Sequence, residues 1–269
     1  MMRFLSILGI CARLALSFTS PKGVPTAITS RDPPTEVVNR QWAGMVVKQP
    51  AGQGFTSVEG TFQVPAALTF SESAPSGYNV VSIFLGLGDN DTTPQVQAAI
   101  SIMSQKKGDS VTTSHYAWYT LSSTSVQEQL APTQFSFSMT DTIYLRINAH
   151  TLSFENLSTG SSYSRNLTRT GFECKKRPCV APKNKVRDGA MGKGETAYWI
   201  LQEGVSTGQE FGDFGVLEWR GASAMRNGVK VGAGSGDRWV TVDGEGGGRV
   251  VQTAVIDGEY FQVGRLDGV

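Results

Sequence analysis

The chain has 269 residues, enough for one large β-sandwich or two small domains, and one domain is expected because all-β folds of this size commonly share a single core. Charged residues make up 17% and the formal net charge is +1, with Lys and Arg scattered rather than gathered into a stripe interleaved with aromatics, which argues against nucleic acid as a partner. The 31 glycines, set among valine-, threonine-, serine- and aromatic-rich stretches, are the composition of short strands joined by tight turns, not of helices.

The chain opens MMRFLSILGICARLALSFTS, where an early Arg3 precedes an apolar run, interrupted by Arg13, and then small residues and Pro21. This outline predicts a secretory signal peptide over residues 1–20. No later stretch approaches the about 20 apolar residues needed to span a bilayer, so no membrane contact is expected of the mature chain. Residues 21–38 (PKGVPTAITSRDPPTEVV) show no period and read as a linker or short propeptide, leaving 39–269 as the folded domain.

From there, alternation with a period of two recurs. In VEGTFQV, Val58, Gly60, Phe62 and Val64 share one face and Glu59, Thr61 and Gln63 the other, the mark of a half-buried strand. VVSIFLGL (80–87) is apolar on both faces and reads as a central strand. In PQVQAAISIM, Val96, Ala98, Ile100 and Ile102 are expected in the core, with Gln95, Gln97, Ala99 and Ser101 opposite. IYLRINAH places Leu145, Ile147 and Ala149 inward and Arg146, Asn148 and His150 outward, and NLSTG (156–160) is a turn before a further alternating segment. AYWIL (197–201) and FGVLEW (214–219) supply two more apolar strands, with Trp199 and Leu201 expected inside. Beyond Gly221 the glycine-dense segments, with VVQTAVI and YFQV between and after them, read as hairpins.

Residues 171–194 are Lys- and Arg-rich and lack any period, which predicts a long exposed loop. It carries Cys174 and Cys179, the pair left once Cys11 departs with the signal peptide; in a secreted chain they predict a small loop-closing disulfide, and with no His nearby they make a poor zinc site. Asn90, Asn156 and Asn166 each begin a glycosylation sequon.

Much chemistry is missing. The two histidines, His115 and His150, sit near no cysteine or paired acid at metal spacing, so no metal is expected. There is no G-x-S-x-G elbow and no recognisable cysteine nucleophile, and the glycine runs contain neither G-K-[ST] nor a dinucleotide fingerprint. What remains is hydrolysis by carboxylate and amide side chains on a sheet face, or no catalysis.

An ordered set of segments across residues 39–219 resembles the eqolisins, the fungal glutamic peptidases. QWAGMVV is similar to their N-W-A-G strand, VEGTFQVP to V-x-G-T-F-x-V-P and SIFLGLGDN to A-W-V-G-I-D-G-D. HYAWYTL then resembles Y-A-W-Y, FENLSTG resembles I-E-N-L-T-T-G, AYWILQE resembles A-E-W-I-V-E and FGDFGVLEW resembles F-A-D-F-G-x-V-x-F. The resemblance implies an antiparallel two-sheet β-sandwich, concanavalin-like, whose concave face takes a peptide or protein substrate. It also implies endoproteolysis at acidic pH without a cofactor: a glutamate activates a water and later protonates the leaving amine, while a glutamine orients that water and donates to the oxyanion. The expected protein is a secreted, extracellular monomer.

The glutamine carries over as Gln97, in VQAAI. The glutamate does not, because Tyr198 precedes Trp199. A phenol with an ordinary pKa of about 10 stays protonated in acid and cannot act as the base. Glu195 and Glu203 have the opposite parity to Tyr198, so only a bulge would bring either to the groove face. By the same resemblance Phe84 stands for the groove tryptophan, the loop GLGDND keeps Asp89 and Asp91 of its acids, and Trp118 and Gln202 complete the expected substrate contacts, Gln202 where the family has a second acid. Two readings follow: a glutamic-type endopeptidase impaired at Tyr198, or a non-catalytic protein on the same sandwich that holds a peptide or glycan against exposed aromatics such as Tyr116, Trp118 and Tyr198.

Overall fold

The computed structural model describes residues 35–39, 42–50, 52–66, 76–88, 95–121, 127–167, 194–203, 214–242 and 250–265. In chain order the strands are β1 (Glu36–Asn39), β2 (Trp42–Lys48), β3 (Ser57–Gln63), β4 (Ser76–Gly88), β5 (Val96–Lys107), β6 (Ser110–Thr120), β7 (Glu128–Gln129) and β8 (Thr142–Asn148). They continue as β9 (Thr151–Asn156), β10 (Ser162–Asn166), β11 (Thr196–Glu203), β12 (Val216–Arg226), β13 (Val229–Gly232), β14 (Asp237–Val242), β15 (Val250–Val255) and β16 (Phe261–Arg265). A 3-10 turn, Ala233–Ser235, is the single helical element among the described residues.

Hydrogen bonding runs in the order β10-β9-β8-β3-β12-β16-β15-β14-β2-β11-β4-β5-β6-β7. The path folds back on itself, so that β3 and β8 of one layer pack face to face on β4, β5 and β11 of the other. This is the expected all-β, two-layer sandwich, antiparallel except for β1, which pairs parallel with β14. Residues Asp32–Val269 form one compact unit.

The alternation read from sequence decides which side chains enter the core. Val58, Phe62, Val96, Ala98, Ile100, Ile102, Trp199 and Leu201 are buried between the layers, while Glu59, Thr61, Gln63 and Gln97 lie on outer faces. The central strand β4 sends Val81, Ile83, Leu85 and Leu87 inward and Phe84 outward, so both of its faces are apolar for different reasons. Trp199 and Trp219 meet over Gly60: a Cβ there would stand 2.9 Å from Trp219 and 3.3 Å from Trp199. The Trp199 indole N–H donates to the Glu59 carbonyl at 2.8 Å, which satisfies it without disturbing the packing. The β12–β13 hairpin closes through Asn227 and Gly228, at φ 49° and 77°, the two positive values that an Asn-Gly type I′ turn requires.

Three details differ from the sequence reading. The sheet takes in Glu36, Val37 and Val38 ahead of the expected start at residue 39, because β1 finds a partner in β14, 202 residues along the chain. Ala149 is not an inward strand residue; β8 ends at Asn148, whose Oδ1 accepts from the backbone N–H groups of His150 and Thr151 and turns the chain. Asn156 is 1% exposed, and its Nδ2 donates to the Ser136 carbonyl and Asp141 Oδ2 while its Oδ1 accepts from the Ser158 and Thr159 N–H groups. This bonding leaves no place for a glycan on that nitrogen in the folded protein, which corrects the sequon reading there. Asn166 ends β10 on the surface, and Asn90 lies outside the described residues. Asn156→Ala is therefore expected to lower stability by about 2 kcal/mol, because it removes the four hydrogen bonds of a buried amide that fix the turn. A urea titration checks it, and peptide mapping of protein expressed through a glycosylating secretory pathway should find residue 156 unmodified.

Candidate functional site

The outer face of the β14-β2-β11-β4-β5-β6 layer is built in register rows, since directly paired residues project to the same side. Gln97, Gly86, Tyr198, Val46 and Asp237 are successive partners across β5, β4, β11, β2 and β14. The next row carries Trp118, Ala99, Phe84, Ile200, Gly44 and Trp239, and the row after it Tyr116, Ser101, Ser82, Gln202 and Trp42. The tertiary structure thus gathers Gln97, Tyr198, Phe84, Trp118 and Gln202, named separately from the sequence, on one face of one layer. Asp89 and Asp91, with Cys174 and Cys179, lie outside the described residues.

Between Gln97 and Tyr198 stands Gly86, which has no side chain, so two strand spacings of about 4.8 Å separate their backbones. Gln97 is half-buried, and its carboxamide bonds to no side chain or backbone group among the described residues. Tyr198 is different. It is 0% exposed, part of a second apolar cluster with Val46, Phe84, Ala99, Trp118, Ile200 and Trp239. Trp42 packs edge-on against both Phe84 (centroids 5.7 Å apart) and Tyr198 (6.3 Å), and lies tilted over Trp239 at 5.6 Å. The aromatics expected as exposed platforms are consequently turned into one another: Trp118 is 7% exposed and Tyr116 half-buried. Trp42 and Trp239, absent from the sequence reading, complete the cluster. Their alternation was legible, but only strand order shows that they share a face with Tyr198.

Gly44 makes this neighbourhood possible. Its φ is +142°, and a Cβ there would lie 2.1 Å from the Trp199 carbonyl oxygen, so β2 approaches β11 more closely than any side-chain-bearing residue would allow.

Among the described residues, no carboxylate stands beside Gln97 in its row. Pairing along β11 is unbroken from Thr196 to Gln202 against β2 and from Thr196 to Glu203 against β4, with no bulge in either ladder. Glu195 accepts a bond from the Gly52 N–H at 2.7 Å. Asp237 shares the row of Gln97, but four strand spacings, about 19 Å, separate them, and it pairs with Lys48 at 3.4 Å. Glu218 stands on the other layer, where the Arg220 guanidinium first, then Tyr260 and Gln262, hold its carboxyl below the usual range.

Glu59, also on that other layer, is likewise committed: it accepts from the Tyr144 hydroxyl at 2.8 Å beside Arg146. Burial, followed by this bond, pushes the Tyr144 hydroxyl up to about 12. The folded value lies above the unfolded one, so the contribution is complete below about pH 10 and is lost as pH rises through about 12. Tyr144→Phe is expected to remove that part of the alkaline destabilisation, read as a smaller drop in urea midpoint between pH 8 and about 12 than wild type shows.

The model of the peptidase A4 family matches residues 40–264. The chain is also similar to a solved structure, the crystal structure of aspergilloglutamic peptidase from Aspergillus niger, at 21% identity and a TM-score of 0.47, covering 70% of this chain and 99% of that one. Comparison with curated proteins finds no match.

Proposed function

Because the chain belongs to the peptidase A4 family, we propose that its outer aromatic face is a peptide-binding groove of the glutamic-peptidase type in which the amide partner is kept and the acid is lost. One observation carries this reading: Gln97, with its carboxamide uncommitted, and Tyr198, at the position of the family's acid by resemblance, occupy one register row with only Gly86 between them. In this reading the Gln97 amide orients a water and donates to the carbonyl oxygen as it gains charge. No group beside Gln97 in the row takes the water's proton, because the Tyr198 phenol remains protonated at acidic pH and Asp237 lies about 19 Å away, paired with Lys48. General-base assistance contributes about 10²–10⁴-fold. Wild-type protein should accordingly bind extended peptides and hydrolyse them feebly at any pH from acidic to neutral, which a casein-clearing assay tests; strong clearing at acidic pH overturns the reading.

A non-catalytic peptide-binding role is supported by the burial of Tyr198, which fills the place of a reactive group with packing. Under either reading the protein is exported: residues 1–20 serve as the signal peptide and Cys174 and Cys179 close a disulfide. A count of two free thiols on denatured, unreduced protein would contradict the pairing.

A further inference from the structure

Along the outer face, one row beyond Phe84, lie two serines that the peptidase reading does not use, Ser82 and Ser101, beside the Trp118 and Gln202 that it does. Trp118 Nε1 donates to Ser101 Oγ at 2.7 Å, and Ser101 Oγ lies 2.6 Å from Ser82 Oγ. Two hydroxyl protons sit in this pair, and only one is taken up between the two oxygens; among the described residues the other has no acceptor. Ser101 is 1% exposed and Ser82 9%, so the spare proton belongs on Ser82, the more open of the two. Gln202 is the direct partner of Ser82 across β4 and β11, half-buried, and its carboxamide also bonds to nothing among the described residues. A third uncommitted donor shares the face: Trp239 Nε1 is buried without a partner. These donors carry no charge, and Lys48, at the far end of β2 on the same face, is paired with Asp237. Neutral donors without acceptors call for a neutral acceptor, and the carbonyl groups of a peptide backbone supply one at every residue.

We propose that Ser82, aligned by Ser101 and Trp118, forms with Gln202 a distal subsite that receives a backbone carbonyl of an extended peptide. The inference rests on the reading of this face as a peptide groove. The register sets its reach. Ser82 lies four residues along the strand direction from the row of Gln97 and one strand across; Gln202 lies the same four along and two strands across. At about 3.3 Å per residue and about 4.8 Å per strand, the separations are about 14 and 16 Å, the span of four to five extended residues. A tripeptide held at Gln97 cannot touch the subsite, whereas an octapeptide reaches it.

The test uses fluorescein-labelled random tripeptide and octapeptide pools, with binding followed by anisotropy on the full chain. The octapeptide pool is expected to bind wild type more tightly than the tripeptide pool. Ser82→Ala and Gln202→Leu should each weaken octapeptide binding about fivefold to tenfold, Ser82→Ala should leave tripeptide binding unchanged, and Ser82→Thr should bind the octapeptide close to wild type. Trp118 keeps its bond to Ser101 in Ser82→Ala, so the fold is not at stake, and an unchanged thermal midpoint verifies this. If Gln97→Ala weakens binding of both pools while Ser82→Ala and Gln202→Leu do not alter the octapeptide, the groove stands and the distal subsite is wrong. If wild type binds neither pool, the groove reading itself fails and the subsite with it.

Discussion

Tyr198→Glu should raise peptide hydrolysis at acidic pH by about 10²-fold or more, and Gln97→Ala in that background should remove the gain. The size follows from what a positioned base contributes, about 10²–10⁴-fold, reduced by the surroundings it enters. Position 198 is fully buried beside Trp42, Phe84 and Trp239, so a carboxyl there is desolvated and its pKa rises above the ordinary value of about 4.3. Activity should therefore appear at a higher pH than an exposed glutamate would give, on the rising side where the carboxylate forms. The same shift has a stability consequence. A folded value above the unfolded one means that the protonated variant is most stable below about pH 4 and loses stability as pH climbs through the raised value. Hydrolysis of a labelled peptide from pH 2 to 7, with thermal midpoints at both ends, checks the two together. A folded variant that gains nothing, by near-ultraviolet circular dichroism and activity, would show that replacing the acid is not enough, and the purely binding role would then be preferred.

Trp199→Ala is expected to cost about 3–5 kcal/mol, the range for removing a large aromatic from a packed core. Trp199 is 0% exposed, sits over Gly60 beside Trp219, and bonds the Glu59 carbonyl through its indole N–H. Alanine would leave a cavity under β3 and an unpaired carbonyl together, and the facing Gly60 has no side chain with which to fill it. Trp199→Phe keeps most of the apolar surface and loses the donor, so it should cost clearly less, about 1–2 kcal/mol. Urea unfolding of the three proteins measures both differences. A loss below about 1 kcal/mol for alanine would mean that the two layers collapse onto each other more readily than the packing around Gly60 allows. The contrast with position 198 is informative, since neighbouring residues on one strand are expected to govern different properties: one the cohesion of the two layers, the other the chemistry of the outer face.

The alternation of β3, β5 and β11 was legible residue by residue, because in an extended chain successive side chains must point to opposite faces whatever the rest of the fold does. Local covalent geometry therefore settled that Trp199 and Leu201 face one way and Tyr198 the other, and that Gln97 stands apart from Val96 and Ala98. That a tyrosine and not a glutamate stands at position 198 was equally a matter of sequence, as was the Asn227-Gly228 hairpin, whose positive φ values are a local demand on those two residues. What lies on the far side of an outward-facing residue is not local. Trp42, Phe84, Trp118, Tyr198 and Trp239 come from five strands spread over almost 200 positions, and only their order in the layer makes Tyr198 a buried side chain and not an exposed one. The same holds for Asn156, whose sequon looks like any other until Ser136 and Asp141 arrive to engage its amide. It holds too for β12, where the register against β3 shifts between Arg220 and Ser223 and buries Ala222, Ser223 and Ala224 in succession, a pattern no period of two predicts. Parity belongs to each strand alone, whereas burial, partnership and register belong to pairs of segments distant in sequence. The sequence therefore determined which side of a strand each residue takes and that a tyrosine precedes Trp199, and the tertiary structure decided what covers them.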